Sequence, residues 1–530
     1  MNHLNPQPFL SKAQFTAFAG GILFLVLYWS FGYDGITFSD DVYYLLAGKN
    51  FWEGSMEVND YHFSSRWGAY VPSGLIGHLL GFEPHRISLI SLLSYGLSLL
   101  FLMKILPKSA PAWMLTVWFC TQVYFLHFLT KVYPDSSLVL WTCLVPVAAT
   151  FRKSSPILSA FILVLSLFVG FLTKETIVLL APFPILLFYF DWKRKDLKPS
   201  FYLSLVATAI VLSALYLSYF WVKFGDPLHR ITSINAGHYI SEYTYADKGL
   251  WSILRRLTIL PVITLVERSY WAWIVFAIPG IALGLKSKRS PAYEFALAIL
   301  CLIIGFWFMT STLEFYNPIY LNPRHLIILV PILSMLIALG TKEWINSKNW
   351  KNYLTLLLLV GVGVSLTQLD LKMAGFNLAL VLGIQLANLK SFPLYLSLTL
   401  TAPAILAIPY QQNLKQFDNL ISNLEKITQS TDFKIPIYTH SFLTFSKEIL
   451  IPDDSIAQSS LFSLYQFPEN PPEFPQRLKV LIYDYYLHAY PEEQEDLDDI
   501  SSWLHYNYVL QDSCRQGNIT VKTYERISTK

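Results

Sequence analysis

Phe15-Thr16-Ala17-Phe18-Ala19-Gly20-Gly21-Ile22-Leu23-Phe24-Leu25-Val26-Leu27-Tyr28-Trp29-Ser30-Phe31-Gly32-Tyr33 contains no acidic or basic residue. As a helix rising 1.5 Å per residue it reaches just under ~30 Å, the thickness of a bilayer's hydrocarbon core. Similar apolar runs recur at 87–106, 111–130, 136–151, 156–172, 176–190, 200–222, 270–285, 292–310, 326–340, 353–369, 375–389 and 392–409. Lipid offers the backbone no hydrogen-bond partners, so such runs must be helical. The expected fold class is an all-α polytopic membrane protein with about thirteen transmembrane helices; the separators are shortest between 353 and 409. Composition agrees. Of 530 residues 54% are hydrophobic and 14% charged, against about 25% charged in soluble domains, and mean hydropathy is +0.41. These values exclude a disordered chain, a coiled coil and an ordinary soluble enzyme. A net charge of +3 gives no basis for a nucleic-acid partner.

Lysine and arginine in short loops set orientation. Lys104 and Lys108, Arg152 and Lys153, Lys193 to Lys195, and Lys342, Lys348 and Lys351 all fall in alternate loops. That side is expected to be cytoplasmic, together with the N-terminus and Lys12, and the first run is then a signal anchor. Segments 34–86 and 223–269 become long outer loops above a transmembrane domain, 1–409. The remainder, 410–530, falls outside the membrane. Its acidity differs from the rest: counted along the sequence, the tail after Tyr410 has 17 acids and 10 bases, the preceding part 19 and 29. A helical apolar face over 411–430, strands at 435–439 and 479–484, and a hairpin joining 506–511 to 519–526 through Gln516-Gly517-Asn518 predict a small extracytoplasmic α/β domain.

Charges are nearly absent at mid-span, and no internal repeat is visible. Both facts argue against an ion-coupled carrier. Polar residues gather instead at the predicted outer helix ends, in four phrases: Phe38-Ser39-Asp40-Asp41, Lys131-Val132-Tyr133-Pro134-Asp135, Thr173-Lys174-Glu175 and Asn322-Pro323-Arg324-His325. Each has an ordinary reading. Asp40 or Asp41 caps a helix. Lys131 and Asp135 make an i,i+4 pair. Lys174 snorkels to headgroups, and Arg324 holds lipid phosphate. Tyr44 belongs equally to an aromatic belt or to a substrate wall. The order and shared sidedness of the phrases point to a polar site at the outer interface, suited to a substrate with a lipid tail and a polar head.

These phrases, in this order, resemble the GT-C membrane glycosyltransferases, in particular the branch containing protein O-mannosyltransferases and the lipid A aminoarabinose transferase. The resemblance extends to about residue 340. It implies a GT-C fold and an acidic pair at the catalytic centre, here Asp40 and Asp41. The family's Asp-Glu is Asp-Asp in this chain, which leaves the base open between the two; the first, Asp40, is the expected one. The resemblance further implies Asp135 as a supporting acid and Lys174 near a lipid phosphate, joined by Arg66 and Arg324. Glu175, Tyr44 and His325 are possible substrate contacts.

The implied function is inverting transfer of a sugar from a polyprenyl-phosphate donor to a protein, lipid or cell-wall acceptor, with the acceptor itself unknown. One carboxylate takes the acceptor's proton and cations stabilise the departing phosphate, so no cofactor is expected; a divalent metal held by Asp40, Asp41 and Asp135, as in more distant GT-C relatives, is the less favoured alternative. The expected location is a bacterial inner membrane. The competing reading is a transporter or flippase of lipid-linked glycans.

Overall fold

The computed structural model describes residues 10–236, 245, 248–288, 290–312, 315–429, 435–452, 454–467 and 475–527. The protein is mostly helical, at 72%, and every predicted apolar run coincides with a helix. By length and apolarity alone seven helices are fit to cross a membrane, or up to nine if two bent pairs each count as one span. The difference from thirteen has two causes. First, the 111–130 run is broken and the 270–285 run, whose helix is itself 17 residues long, begins at a sharp bend. The Ala112–Cys120 and Val123–Leu129 helices meet at 70°, where the Gln122 side chain accepts from the Phe125 amide (2.6 Å) and starts a new helix. Leu260–Glu267 and Trp271–Ser287 meet at 108°. Second, Pro134–Thr150, Ala292–Phe308, Leu329–Ile345 and Leu371–Gln385 have only 15–17 residues. Pro134–Thr150 and Leu329–Ile345 lie almost wholly inside the bundle. Pro199–Phe224, by contrast, is buried over only 6% of its apolar window and presents its surface outward.

Helices approach closely where small residues permit it. A Cβ on Gly340 would stand 2.8 Å from the Gly280 Cα, the backbone-to-backbone packing that membrane helices achieve with small residues. In segment 34–86, Asp40–Glu53 and Trp67–Leu80 cross in the same way. A Cβ on Gly48 would lie 2.8 Å from the Tyr70 carbonyl oxygen, and one on Gly74 would collide with the Gly48 backbone. Segment 34–86 is thus a packed helical layer.

The last apolar helix runs to Lys415, and Gln416, at φ +48°, breaks it. The C-terminal domain follows as a helix, Phe417–Gln429, and a five-stranded sheet: β1 (Ile437–Thr439), β2 (Leu461–Ser463), β3 (Arg477–Tyr483), β4 (Tyr508–Gln516) and β5 (Ile519–Arg526). The order is β2-β1-β3-β5-β4. β1 is parallel to β2 and β3; β5 is antiparallel to β3 and β4. The predicted hairpin is β4–β5, turned by Gly517 at φ +63°. β2 was not expected from the sequence.

This domain is fused to the layer beneath it through one apolar cluster that joins Ile36, Phe38, Val42 and Tyr44 to Leu420, Leu443, Leu481 and Tyr483. Phe417 packs on Tyr33 and Phe38 with ring centroids 6.2 and 6.1 Å apart. Gln412 donates to the Phe31 carbonyl at 2.8 Å. Beside this seam Lys131 pairs with Asp34, with Lys415 3.9 Å from the same carboxylate. Burial opposes ionisation of Asp34, but the two lysines hold its carboxyl well below the usual range.

Candidate active site

Three separate helix starts bring their polar side chains to one point. Arg324 Nη2 donates to Asp40 Oδ2 at 2.8 Å, and its Nε lies 3.9 Å from Asp135 Oδ2. Lys174 Nζ donates to both oxygens of Asp135 at 2.7 Å. The sequence puts each group there for a local reason. Asp40 opens the Asp40–Glu53 helix. Asp135 follows Pro134 at the start of Pro134–Thr150, where a carboxylate suits the helix dipole. Lys174 sits at an extended residue (φ −161°) between Pro156–Thr173 and the tight Glu175–Leu180 turn. Asn322 caps Pro323–Leu326 and so presents Arg324.

The four differ in access. Asp135 is fully buried and Lys174 nearly so, while the Asp40 and Arg324 side chains keep 25% and 21% of their exposure. Asp40 and Arg324 therefore form the open face of the cluster, and Asp135 with Lys174 its floor. Burial pulls the Lys174 ammonium down to about 8, with Asp135 opposing and Arg324 and Arg66 assisting. Arg324 is stabilised as a cation: against burial, Asp40, Tyr133 and Asp135 hold it charged. Its guanidinium also lies 5.1 Å from the Tyr133 ring centroid. His325, driven well below its ordinary value by burial and by the Lys174 and Arg324 charges, is neutral and accepts from Arg324 Nε at 3.4 Å. It aims the arginine; no substrate contact is needed to explain it.

Asp41, expected beside Asp40 at the catalytic centre, faces its own loop. It accepts from the Thr37 amide (2.6 Å), the Thr37 hydroxyl (2.7 Å) and the Ser39 amide (3.1 Å), and only 2% of it is exposed. Three donors leave it little capacity for a substrate. The acidic pair thus divides: Asp41 shapes the turn and Asp40 faces Arg324.

Arg66, expected to hold phosphate, is likewise committed. It donates to Glu175 through Nε (3.2 Å) and Nη2 (2.7 Å), and to Tyr44 Oη at 2.6 Å. Arg230 closes the same carboxylate at 2.6 Å. Buried charges require partners, so Glu175, expected as a substrate contact, is the counter-group that ties segment 34–86 to the helix ends, and Tyr44, also expected as one, bonds Arg66 within that segment. Arg230 had no recognisable signal in the sequence. Its neighbour Asp226 merely caps its own turn through the Leu228 amide (2.8 Å). The predicted Lys131–Asp135 pair does not form, since Lys131 goes to Asp34 and Asp135 to Lys174.

Another charged cluster lies beyond the far end of the Pro134–Thr150 helix. Arg152 there donates to Asp191 (2.8 Å) and to Glu294. It pins helices together away from the site. Both Asp135 oxygens already accept from Lys174, and no group of three His, Cys, Asp or Glu comes together among the described residues.

No family model matches the sequence, and no curated protein matches it. Among solved structures, ArnT from Cupriavidus metallidurans bound to undecaprenyl phosphate matches with a TM-score of 0.59 at 11% identity, over 98% of this chain and 99% of that one. The apo state of ArnT gives 0.58 at 12%, over 96% and 98%. ArnT is a GT-C glycosyltransferase, the lipid A aminoarabinose transferase. At this identity the likeness is one of fold: the chain has the GT-C fold, membrane helices and C-terminal domain together.

Proposed function

We propose that this GT-C-fold protein transfers a sugar from a polyprenyl-phosphate donor to an acceptor on the outer face of a bacterial inner membrane, with its N-terminus in the cytoplasm. The observation that carries the reading is the Asp40–Arg324–Asp135–Lys174 cluster, in which one accessible carboxylate stands against two cations. The likeness in fold to a protein bound to undecaprenyl phosphate supports the donor class.

In the free protein Arg324 occupies Asp40. The donor's phosphate competes for Arg324 and Lys174, and as it binds, Asp40 is released to act as base. The acceptor's hydroxyl or amine attacks the anomeric carbon while its proton passes to Asp40. The bond from that carbon to the phosphate oxygen breaks, and its electron pair leaves with the polyprenyl phosphate. The negative charge gained by the leaving group is met by Lys174 and Arg324, which need no metal for this. One displacement inverts the anomeric centre. Asp135 is a positioning residue: it keeps Lys174 at the site and touches no substrate.

The test uses the full chain in lipid nanodiscs with radiolabelled undecaprenyl-phosphate sugar, with and without chelator. The expected result is release of undecaprenyl phosphate, to an envelope acceptor extract or slowly to water, insensitive to chelator. Movement of intact donor across vesicle membranes with no release would replace this reading with the flippase.

A further inference from the structure

Asp41 accepts the Thr37 hydroxyl proton at 2.7 Å, and that hydroxyl oxygen lies 2.6 Å from Tyr133 Oη. Thr37 has one hydroxyl proton and gives it to Asp41, so the phenol is the donor in the second bond. The bonds run one way, from Tyr133 to Thr37 to Asp41, and end on a carboxylate. An ionised acceptor strengthens the bond made to it, and each bond in such a series polarises the next. Burial, and after it the Asp41 charge, push the titration of the phenol up, so its proton stays in place.

The other end of the series is Arg324. Tyr133 precedes Pro134, which favours the extended backbone found there, φ −122° and ψ 145°. The two neighbours of this proline meet one guanidinium. The Arg324 Cζ lies over the Tyr133 ring, 5.1 Å from its centroid, and Asp135 Oδ2 stands 3.9 Å from the Arg324 Nε.

Arg324 needs such support. Its side chain keeps 21% of its exposure, and an arginine at an open face has many rotamers to lose when a ligand arrives. A ring beneath the guanidinium attracts it, and holding it in place beforehand removes part of that loss. The ring is itself fixed. Phe128 packs nearly perpendicular to it, at 83° with centroids 5.3 Å apart. Tyr133 is 5% exposed, and the bond to Thr37 secures the phenol's far end.

We infer that Asp41, Thr37 and Tyr133 act as one positioning unit, in which the bonded series locks the Tyr133 ring as the platform for Arg324 and so sets where the donor's phosphate is received. None of the three touches substrate. The second acid of the pair serves the site at one remove, through Thr37 and Tyr133, while Asp40 faces Arg324 directly. The unit's purpose rests on the transferase reading, because that reading makes Arg324 a phosphate contact.

The test is equilibrium binding of undecaprenyl phosphate to the full chain in nanodiscs, with no sugar and no acceptor present. Tyr133→Phe keeps the ring and removes its bond to Thr37. Thr37→Val removes that bond from the other side, together with the bond to Asp41. Each is expected to weaken binding by roughly three- to tenfold, the equivalent of one hydrogen bond. The double variant should lose no more than Thr37→Val alone, since the two changes remove one shared bond. Thr37→Ser keeps the hydroxyl and should recover the affinity that Thr37→Val loses. Tyr133→Leu removes the platform as well and should weaken binding further than Tyr133→Phe. In an Arg324→Gln background these effects should vanish, whereas a tie that only steadied the fold would weaken binding equally with or without the arginine. Wild-type affinity in Tyr133→Phe, or an undiminished loss in the Arg324→Gln background, would overturn the positioning unit and leave the transferase reading standing. Undecaprenyl-phosphate binding that is absent from wild type, or that Arg324→Gln does not weaken, would take Arg324 out of the donor's seat and end both.

Discussion

Replacing Asp40 with asparagine separates the two roles a carboxylate can have at this cluster. The side chain keeps its shape and loses its charge and its basicity. If Asp40 is the base, transfer falls by the ~10²–10⁴-fold that a positioned general base supplies. Donor binding should respond in the opposite direction. Arg324 is held by Asp40 at 2.8 Å, with both side chains between one fifth and one quarter exposed. Solvent-screened pairs of this kind are worth at most ~1 kcal/mol. Freeing the arginine therefore tightens undecaprenyl-phosphate binding by up to about fivefold. The assay pairs initial transfer rates with a separate equilibrium measurement of undecaprenyl-phosphate affinity, on wild type and Asp40→Asn in the same nanodiscs, after thermal unfolding shows both equally folded. Transfer within tenfold of wild type would move the base elsewhere. A tenfold loss of undecaprenyl-phosphate affinity would make Asp40 a part of the donor's seat and refute the competition between carboxylate and phosphate.

Lys174→Ala strands the fully buried Asp135 and should cost about 3–5 kcal/mol, read as a lower unfolding midpoint, with Asp135→Asn added to Lys174→Met restoring most of it. The pH profile follows from Lys174 titrating at about 8 instead of 10.5. Its charge, and with it phosphate attraction, is present below pH 8 and lost above, so kcat/KM for donor declines above pH 8, and Lys174→Arg abolishes that decline. Stability moves the other way, because between 8 and 10.5 the unfolded chain holds the proton that the folded one releases, and folding gains as pH rises; a fall in unfolding midpoint across this window would contradict the assignment. Gly74→Val drives a side chain into the Gly48 backbone and shifts the helix that carries Asp40. It should destabilise by ~1–3 kcal/mol and depress transfer more than tenfold, and unchanged transfer would show that this layer does not set the site.

Much of this protein could be read from residue order alone. Uncharged runs long enough for a bilayer mark helices because their backbone must bond to itself, and the composition shift after Tyr410 marks the second domain. The hairpin at Gly517 and the grouping of Asp40, Asp135, Lys174 and Arg324 at one set of helix ends are equally local facts. What order alone could not assign was partnership. Lys131 stands four residues from Asp135, yet it bonds Asp34, 97 positions away. Asp135 bonds Lys174 across 39 positions, and Arg66 bonds Glu175 across 109. The division of Asp40 from Asp41 and the bends at Gln122 and Ser269 belong with these. Periodicity and capping act within one helical turn, whereas a buried charge takes whichever opposite charge the packed helices bring within hydrogen-bond reach, and that choice exists only once the bundle has closed.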